Sequence, residues 1–368
     1  MTLTERIAAP GPKRILSLDG GGIRGVLSLQ ILRRIETLLR TATGNPQLRL
    51  CDWFDFIGGT STGAIIAACL SLGMEAGEID DFYRTCARDI FHRASLLQRF
   101  WYRYAKDRLS AKLRAVLGAD TALGSERLRT LLLLMMRNAT TQSTWPVSNN
   151  PRAIYNDPAR ANCNLRLPLW QLVRASTAAP AYFPAEPIRV GSCAFLFQDG
   201  GVTPFNNPAF QMFLMATAAP YRVGWRATPG DLLIVSIGAG STEPANPDLT
   251  VFDMNLIATA CSVPRALIAG MQTHADMLCR LFGDCRFGLP LNREVGDLIG
   301  TPAPGGRKLF GYVRYDAPLT GATLSALGLG HIHPERILPL DSCSAVADLA
   351  ETGRAIAAAQ VRPSHLGL

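Results

Sequence analysis

The chain has 368 residues, of which 48% are hydrophobic and 18% are charged. This charge density is below the roughly 25% of an average soluble protein, which excludes global disorder and predicts a large buried core. The formal net charge of +8 favours an anionic partner such as a phospholipid surface or a nucleotide. The nine cysteines are odd in number and contain no C-x-x-C pair. A full disulfide framework is therefore excluded, a zinc knuckle is not expected, and free thiols in the cytoplasm are predicted.

Two similar units open the chain. Each consists of an apolar strand, a glycine-rich turn and a helix: residues 14–18, 19–25 and 26–40 in the first, and 53–57, 58–63 and 64–72 in the second. Adjacent units of this kind predict a mostly parallel sheet that is covered by helices on both faces.

The rest of the chain alternates between helical and strand patterns. Between residues 75 and 138 the apolar spacing predicts helices at 79–91, 96–117 and 126–136, which form a helical excursion or cap over the sheet edge. Further elements are a loop-rich stretch with one short strand at 145–164, a helix at 169–178, strands at 194–197 and 231–237, and helices at 263–282 and 344–360. No linker divides the chain, so we expect one domain over residues 1–368. Residues 14–201 are its motif-bearing core, and 206–368 belong to the same domain.

The second turn carries a candidate nucleophile. Residues 59–63 read G-T-S-T-G, which matches G-x-S-x-G between an apolar strand and an apolar helix. Gly59 and Gly63 allow a sharp turn that exposes the Ser61 hydroxyl, and the following helix directs its positive dipole end towards it. A chance match in a Gly/Ser-rich loop is the alternative interpretation of the pentapeptide.

A serine nucleophile requires a base, and none of the five histidines is expected to face Ser61. The alternative base is Asp199, which ends the strand at 194–197 and is followed by Gly200 and Gly201. We expect Asp199 and Ser61 to meet because the carboxyl ends of parallel strands converge on one crevice. The alternative interpretation is that Asp199, Gly200 and Gly201 form an ordinary turn without a catalytic role.

The first turn, D-G-G-G-I-R-G at residues 19–25, is a candidate anion hole. Consecutive glycines that open a helix present backbone N–H groups to developing negative charge. Arg24 would then add a cation beside a phosphate, or simply pair with a carboxylate to hold the loop. The same residues contain G-x-G-x-x-G, but a dinucleotide site requires an acidic residue at the end of a second strand about 20 residues further on, and Glu36 falls within the predicted helix.

These three motifs, in this order, resemble the signatures of the patatin-like phospholipases. The stretch R-A-S-T-A-A-P-A-Y-F at 174–183 is similar to the segment that precedes the family's catalytic aspartate. The resemblance implies a three-layer α/β/α fold and a Ser61–Asp199 dyad that hydrolyses lipid acyl esters without a histidine, metal or cofactor. It places the oxyanion hole at Gly20, Gly21 and Gly22 with Arg24 beside it. Residues that support the motifs are Asp19, Gly25, Gly59, Gly63, Gly200 and Gly201.

A weaker likeness concerns regulation. Residues 148–151 and 278–285 look like bacterial family members, some of which are anti-phage effector phospholipases that a cyclic nucleotide switches on. The basic and aromatic stretch 99–108 predicts an effector or membrane contact through Arg99, Trp101 and Arg103. Burial of its aromatic residues in a cap helix is the alternative.

The predicted protein is therefore a phospholipase A or lipid acyl hydrolase. Its partners are a phospholipid membrane surface and a cyclic dinucleotide activator, without DNA binding, and the chain is compatible with a homo-oligomer. We expect it in the cytoplasm and, when active, at the periphery of the inner membrane. The alternatives are a constitutive lipid esterase and a catalytically idle module that senses a nucleotide.

Overall fold

The protein is described by a computed structural model that covers residues 2–90, 104, 106–241, 249–253 and 255–368. Its strands are β1 (Lys13–Leu18), β2 (Phe56–Thr60), β3 (Leu131–Asn138), β4 (Ser143–Ser148), β5 (Glu186–Val190), β6 (Cys193–Asp199), β7 (Leu232–Ile237), β8 (Gly283–Phe287) and β9 (Phe310–Tyr315). Its helices are α1 (Leu3–Ala8), α2 (Gly25–Thr43), α3 (Leu50–Trp53), α4 (Thr62–Ser71), α5 (Ala76–Ile90), α6 (Lys106–Leu117), α7 (Leu169–Ser176), α8 (Ala209–Thr217), α9 (Leu256–Phe282), α10 (Gly321–Ala326), α11 (Pro334–Ile337) and α12 (Val346–Gln360).

The strands form one mixed sheet in the order β5-β6-β3-β2-β1-β7-β9-β8, and β4 pairs with β3 outside this path. The central strands β3, β2, β1, β7, β9 and β8 are parallel to their neighbours in this order. Both β4 and β6 run antiparallel to β3. The predicted mostly parallel sheet is confirmed, and its antiparallel strands lie on the β3 side.

Helices cover both faces of this sheet. Alternate residues of β1 point to opposite layers, since Leu16 packs into the cluster that contains α2, α4 and α12, whereas Ile15 packs with Met212 of α8 and Cys279 of α9. Each face of the sheet thus has its own hydrophobic core. The predicted three-layer α/β/α architecture is confirmed.

The predicted helix at residues 126–136 is wrong. Residues 131–138 form β3, which pairs with β2 and β6 along one edge and with β4 along the other, and which is buried along almost its whole length. The run L-L-L-L-M-M has no alternation because both faces of the strand are covered, and such a run cannot be distinguished from a buried helix by its periodicity. The helical excursion therefore ends before β3, and its described residues include α5 and α6.

The second strand is displaced by three residues from the predicted position. Residues 50–53 form α3, and β2 includes Gly58, Gly59 and Thr60, which were predicted to be part of the turn. A Cβ atom on Gly58 would lie 2.8 Å from Leu133 of the neighbouring strand, so glycine is the residue that fits this part of the sheet. The actual turn is reduced to Ser61.

In the C-terminal half the predicted strand at 231–237 and the predicted helices at 263–282 and 344–360 correspond to β7, α9 and α12. Strands β8 and β9 complete the sheet beyond β7, although the sequence pattern did not indicate either of them. All six residues of β9 are buried, so this strand also lacks the alternation that marks a half-exposed strand.

Candidate active site

Ser61 occupies a sharp turn between β2 and α4. Its backbone has φ of 55° and ψ of −121°, a conformation that side-chain-bearing residues adopt only under constraint. A Cβ on Gly59 would lie 2.2 Å from the carbonyl oxygen of Gly63, so glycine at these two motif positions permits the tight reversal. The turn directs the Ser61 hydroxyl towards the carboxyl edge of the sheet, at the positive end of the α4 dipole.

The Ser61 hydroxyl donates a hydrogen bond to Asp199 Oδ2 at 2.6 Å. The two residues meet because β2 and β6 approach each other along the same edge of β3. Thr60 pairs with Met135 in parallel register, and Asp199 pairs with the next residue, Met136, in antiparallel register. The predicted contact between Ser61 and Asp199 is present, but the reason given for it was wrong, since β6 does not run parallel to β2 and its end meets the end of β2.

Asp199 is held in a dry environment. It is 4% exposed, and its Oδ1 accepts a hydrogen bond from the Gly201 N–H at 2.7 Å. Burial raises the pKa of Asp199 from 3.8 to about 6, although the hydrogen bonds from Ser61 and Gly201 and the charge of Arg174 oppose this shift. The carboxylate is therefore ionised at neutral pH and more basic than an exposed aspartate.

Ser176, at the end of α7, supports the Ser61 turn, and sequence reasoning did not single it out. Its Oγ accepts the Ser61 backbone N–H at 3.0 Å and donates to the Met135 carbonyl at 2.6 Å. This fully buried hydroxyl ties the turn to the point on β3 where β2 and β6 meet. The sequence feature that could have indicated Ser176 is its position within residues 174–183, the stretch that resembles the family pattern.

The glycine loop passes directly beside Ser61. A Cβ on Gly20 would lie 3.3 Å from the Ser61 Cβ. The Gly20 N–H is engaged, because it donates to the Asn206 carbonyl at 3.1 Å. In contrast, no acceptor among the described residues contacts the backbone N–H groups of Gly21 and Gly22. Of the three predicted donors, these two are available to an oxyanion in this state.

Three further motif glycines permit close approach of backbone segments. A Cβ on Gly22 would lie 2.3 Å from the Leu340 carbonyl oxygen, and the residue has a φ of 59°. A Cβ on Gly25 would contact Thr62 Oγ1 at 2.5 Å, and one on Gly200 would contact the Met135 oxygen at 2.4 Å. The glycines thus bring the starts of α2 and α4 and the end of β6 together around Ser61.

Asp19 lies below the loop and does not face the crevice. Its carboxylate accepts two hydrogen bonds from the Arg314 guanidinium, at 2.9 and 2.7 Å. Burial lowers the pKa of Arg314, but the charges of Asp19 and Asp316 outweigh burial and raise that pKa well above its usual value. Asp19 therefore anchors the start of the loop to β9. The sequence analysis did not predict this contact.

Arg24 is 9% exposed and its Nε donates weakly to the Gly21 carbonyl at 3.4 Å. Its buried Nη1 contacts no hydrogen-bond acceptor within the described ranges. The side chain lines the same crevice as Ser61. This arrangement leaves a cationic donor next to the Gly21 and Gly22 amides.

The crevice that contains Ser61 and Asp199 has a volume of about 1460 Å³. It is lined by the glycine loop, by Tyr83 of α5 and Leu109 of α6, and by parts of α9. None of the described histidines lines it. No set of three or more His, Cys, Asp or Glu side chains within the described ranges is arranged to hold a metal ion. Arg99, Trp101 and Arg103 lie outside the described residues.

The parallel sheet, the strained serine turn and the facing aspartate define an α/β protein with a hydrolase-type nucleophile elbow. Residues 16–213, more than half of the chain, match the family model of the patatin-like phospholipases. The chain belongs to this family.

Several curated proteins are similar to the chain. A cGAMP-activated phospholipase from Vibrio cholerae is 30% identical over 73% of this chain and 77% of its own length. A cGAMP-activated phospholipase from Escherichia coli is 27% identical over 64% of this chain and 65% of its own length. Patatin-17 from Solanum cardiophyllum is 28% identical over 62% of this chain and 61% of its own length. The chain thus spans slightly less than two thirds of some of these relatives.

Proposed function

We propose that the protein is a lipid acyl hydrolase that works through a covalent acyl-Ser61 intermediate. The observation that carries this proposal is the 2.6 Å hydrogen bond from the Ser61 hydroxyl to a buried, more basic Asp199 carboxylate at the bottom of a large crevice. A nucleophile and a base within hydrogen-bond reach are the elements that acyl transfer requires.

In the first step Asp199 takes the Ser61 proton while Oγ attacks the ester carbonyl. The tetrahedral intermediate collapses, the carbon–oxygen bond to the glycerol breaks, and Asp199 returns the proton to the leaving alcohol. A water molecule then attacks the acyl-Ser61 ester, and Asp199 again accepts a proton and passes it to Ser61 Oγ. The products are a fatty acid and a lysolipid.

Negative charge on the carbonyl oxygen is stabilised by the Gly21 and Gly22 N–H groups, which contact no acceptor in the described part of the chain and need no reorganisation during the reaction. Nη1 of Arg24, which has no hydrogen-bond partner among the described residues, supplies a cation next to them for the phosphate of the substrate. Gly20 has a different role, because its N–H holds the loop against Asn206.

The volume and the apolar lining of the crevice favour a lipid substrate. Its volume of about 1460 Å³ exceeds the roughly 300–1,000 Å³ of ordinary small-molecule pockets. Apolar side chains line it above the dyad: Ile65, Leu109, Phe183, Val202 and Leu338. An acyl chain fits such a lining, whereas a small hydrophilic ester would leave it unfilled.

Regulation by a cyclic dinucleotide, in the manner of an anti-phage effector, is the second part of the proposal. Two relatives are named cGAMP-activated phospholipases, and the chain carries a net charge of +8 that suits an anionic activator. An intracellular phospholipase with an open site would attack the membrane of its own cell, so a latent state that a nucleotide shifts is physically sensible.

A fluorophosphonate probe tests the nucleophile directly. We expect it to label the wild type and to fail on Ser61→Ala, while Ser262→Ala, which removes another serine of the crevice, retains labelling. An unlabelled wild type, with and without nucleotides, would identify an idle module.

Hydrolysis of phospholipid vesicles, measured with a panel of cyclic di- and trinucleotides, tests the regulation. We expect low basal release of fatty acid and a marked increase with one cyclic dinucleotide. Full activity that no nucleotide changes would instead identify a constitutive lipid hydrolase.

A further inference from the structure

Helix α9 exposes a row of apolar side chains. Val263 is 44% exposed, Leu267 is 58% exposed and Met271 is 36% exposed. Their spacing of four residues places them on one side of the helix, within about 80° of its circumference and over about 12 Å of its length. These three residues are called the α9 stripe. An exposed apolar row of this kind indicates an interaction surface.

The α9 stripe adjoins the crevice that contains Ser61. Ala266, Ala269 and Thr273 of the same helix line the crevice, on the side of α9 next to the stripe. The loop after β8 repeats this arrangement. Leu291 and Arg293 line the crevice, and the loop exposes three further apolar side chains: Leu289, Val295 and Ile299. Both segments therefore continue the crevice lining out to an exposed apolar surface.

The charge of α9 suits an anionic lipid surface. Residues 256–275 contain no Asp or Glu, and the first acidic residue of α9, Asp276, is buried in an ion pair with Arg280 at 2.7 Å. The loop after β8 has a mixed charge, with Arg293 and Glu294 exposed and Asp297 partly buried. The charge argument therefore rests on α9, whose protruding apolar side chains lie on a helix free of exposed carboxylates up to this point, as in helices that insert shallowly into headgroups.

We propose that the α9 stripe, with Leu289, Val295 and Ile299, docks on a phospholipid bilayer and brings the crevice to the depth of the acyl esters. This inference rests on the proposed function, because a lipid hydrolase must bring its crevice to the surface that holds its substrate. The continuity between the stripe and the crevice lining selects a bilayer over a second copy of the chain, since a copy bound there would cover the crevice mouth.

The test measures binding to sucrose-loaded vesicles of phosphatidylcholine and phosphatidylglycerol by sedimentation. All proteins carry Ser61→Ala so that hydrolysis does not alter the vesicles, and each is measured with and without the cyclic dinucleotide panel. The stripe variant is Leu267→Gln with Met271→Gln, which keeps helix propensity. The matched control is Ile154→Gln with Leu368→Gln, two side chains that are 47% and 37% exposed and do not line the crevice.

We expect the stripe variant to lose at least about tenfold in vesicle partitioning, from the loss of two inserted apolar side chains, and the control to stay within about twofold. Equal binding by both variants, or no binding by the parent protein under any condition, would overturn the proposal. A stripe variant that binds vesicles normally but has a different oligomeric state would also overturn the proposal, because it would identify the stripe as a contact between copies of the chain.

Hydrolysis of a soluble monomeric acyl ester by the protein with Ser61 intact is measured separately, with and without the cyclic dinucleotide panel. Failure of that reaction under every condition contradicts the proposed function, whereas the vesicle result still decides the role of the stripe. Thermal unfolding of both double variants verifies that each one is folded.

Discussion

The floor of the crevice contains polar groups that are largely buried, whereas its rim contains apolar side chains that are exposed. The floor is formed by Ser61, Asp199 and the glycine loop, and its buried Asp199 carboxylate accepts short hydrogen bonds from the half-buried Ser61 and from the Gly201 N–H. The rim, formed by the α9 stripe and the loop after β8, exposes apolar side chains. A rigid, dry floor suits bond-making chemistry, because its dipoles are fixed before the reaction. An exposed apolar rim suits contact with a lipid surface, and changes to the floor should therefore affect chemistry without affecting docking.

The largest effect should come from Asp199→Asn, which keeps the shape of the floor and removes its base. We expect turnover to fall by at least about a hundredfold, the lower range for general-base catalysis. Vesicle binding should not change, which separates the floor from the rim. Assays of turnover and sedimentation on the same preparation measure both, and a nearly active variant would remove Asp199 from the mechanism.

Ser176→Ala should have the next largest effect. It leaves the Ser61 N–H without its acceptor, so the turn loses its support, and we expect kcat to fall by about tenfold with little change in KM. The matched control is Ser71→Ala at the other end of α4, whose hydroxyl accepts a hydrogen bond from Thr130 at 3.0 Å. Both variants should lose about 1–3 kcal/mol of unfolding free energy. An equal loss of kcat in both would mean that Ser176 acts only through stability.

A smaller effect is expected for Arg24→Gln. Loss of the Arg24 guanidinium should raise KM for a phospholipid by about fivefold and leave KM for a neutral diacylglycerol nearly unchanged, since only the former has a phosphate. Steady-state kinetics on mixed micelles of the two lipids measure this difference. Equal changes for both lipids would assign Arg24 to the loop structure.

A further effect concerns pH. Because the pKa of Asp199 is about 6 in the folded protein, kcat/KM should be half of its plateau near pH 6 and should fall about tenfold per unit at lower pH. The pH dependence of the folding stability has the opposite sign to that of the rate. A raised folded pKa means that the favourable contribution of Asp199 is complete below its usual pKa of 3.8 and is lost as the pH rises through about 6.

The stability of Asp199→Asn checks this sign. The loss corresponds to about 3 kcal/mol for a shift of this size, so Asp199→Asn should unfold at a higher temperature than the wild type at pH 8 and not at pH 4. A wild-type rate that is flat down to pH 5 would show that Asp199 keeps an ordinary pKa.

Local features of the sequence determined the conformation of the two motif turns and the positions of several strands and helices. The elbow at Ser61 and the glycine loop were predictable because Gly and Ser at fixed spacing meet backbone requirements within a few residues. Strands β1 and β7 and helices α2, α4 and α12 were predictable from apolar runs and helical spacing. The same pattern failed at β3 and β9, where both faces are covered and no alternation is left in the sequence.

Only the tertiary structure decided how the site is assembled. No local pattern shows that β6 runs antiparallel and ends at Met136, beside the end of β2 at Met135, although this register brings Asp199 to Ser61. The same is true of the contact between Ser176 and the Ser61 amide, and of the engagement of the Gly20 N–H by Asn206. Strand register and contacts between distant segments depend on the packing of the whole sheet. A sequence motif specifies the conformation of its own few residues, and the partner that it faces depends on the rest of the fold.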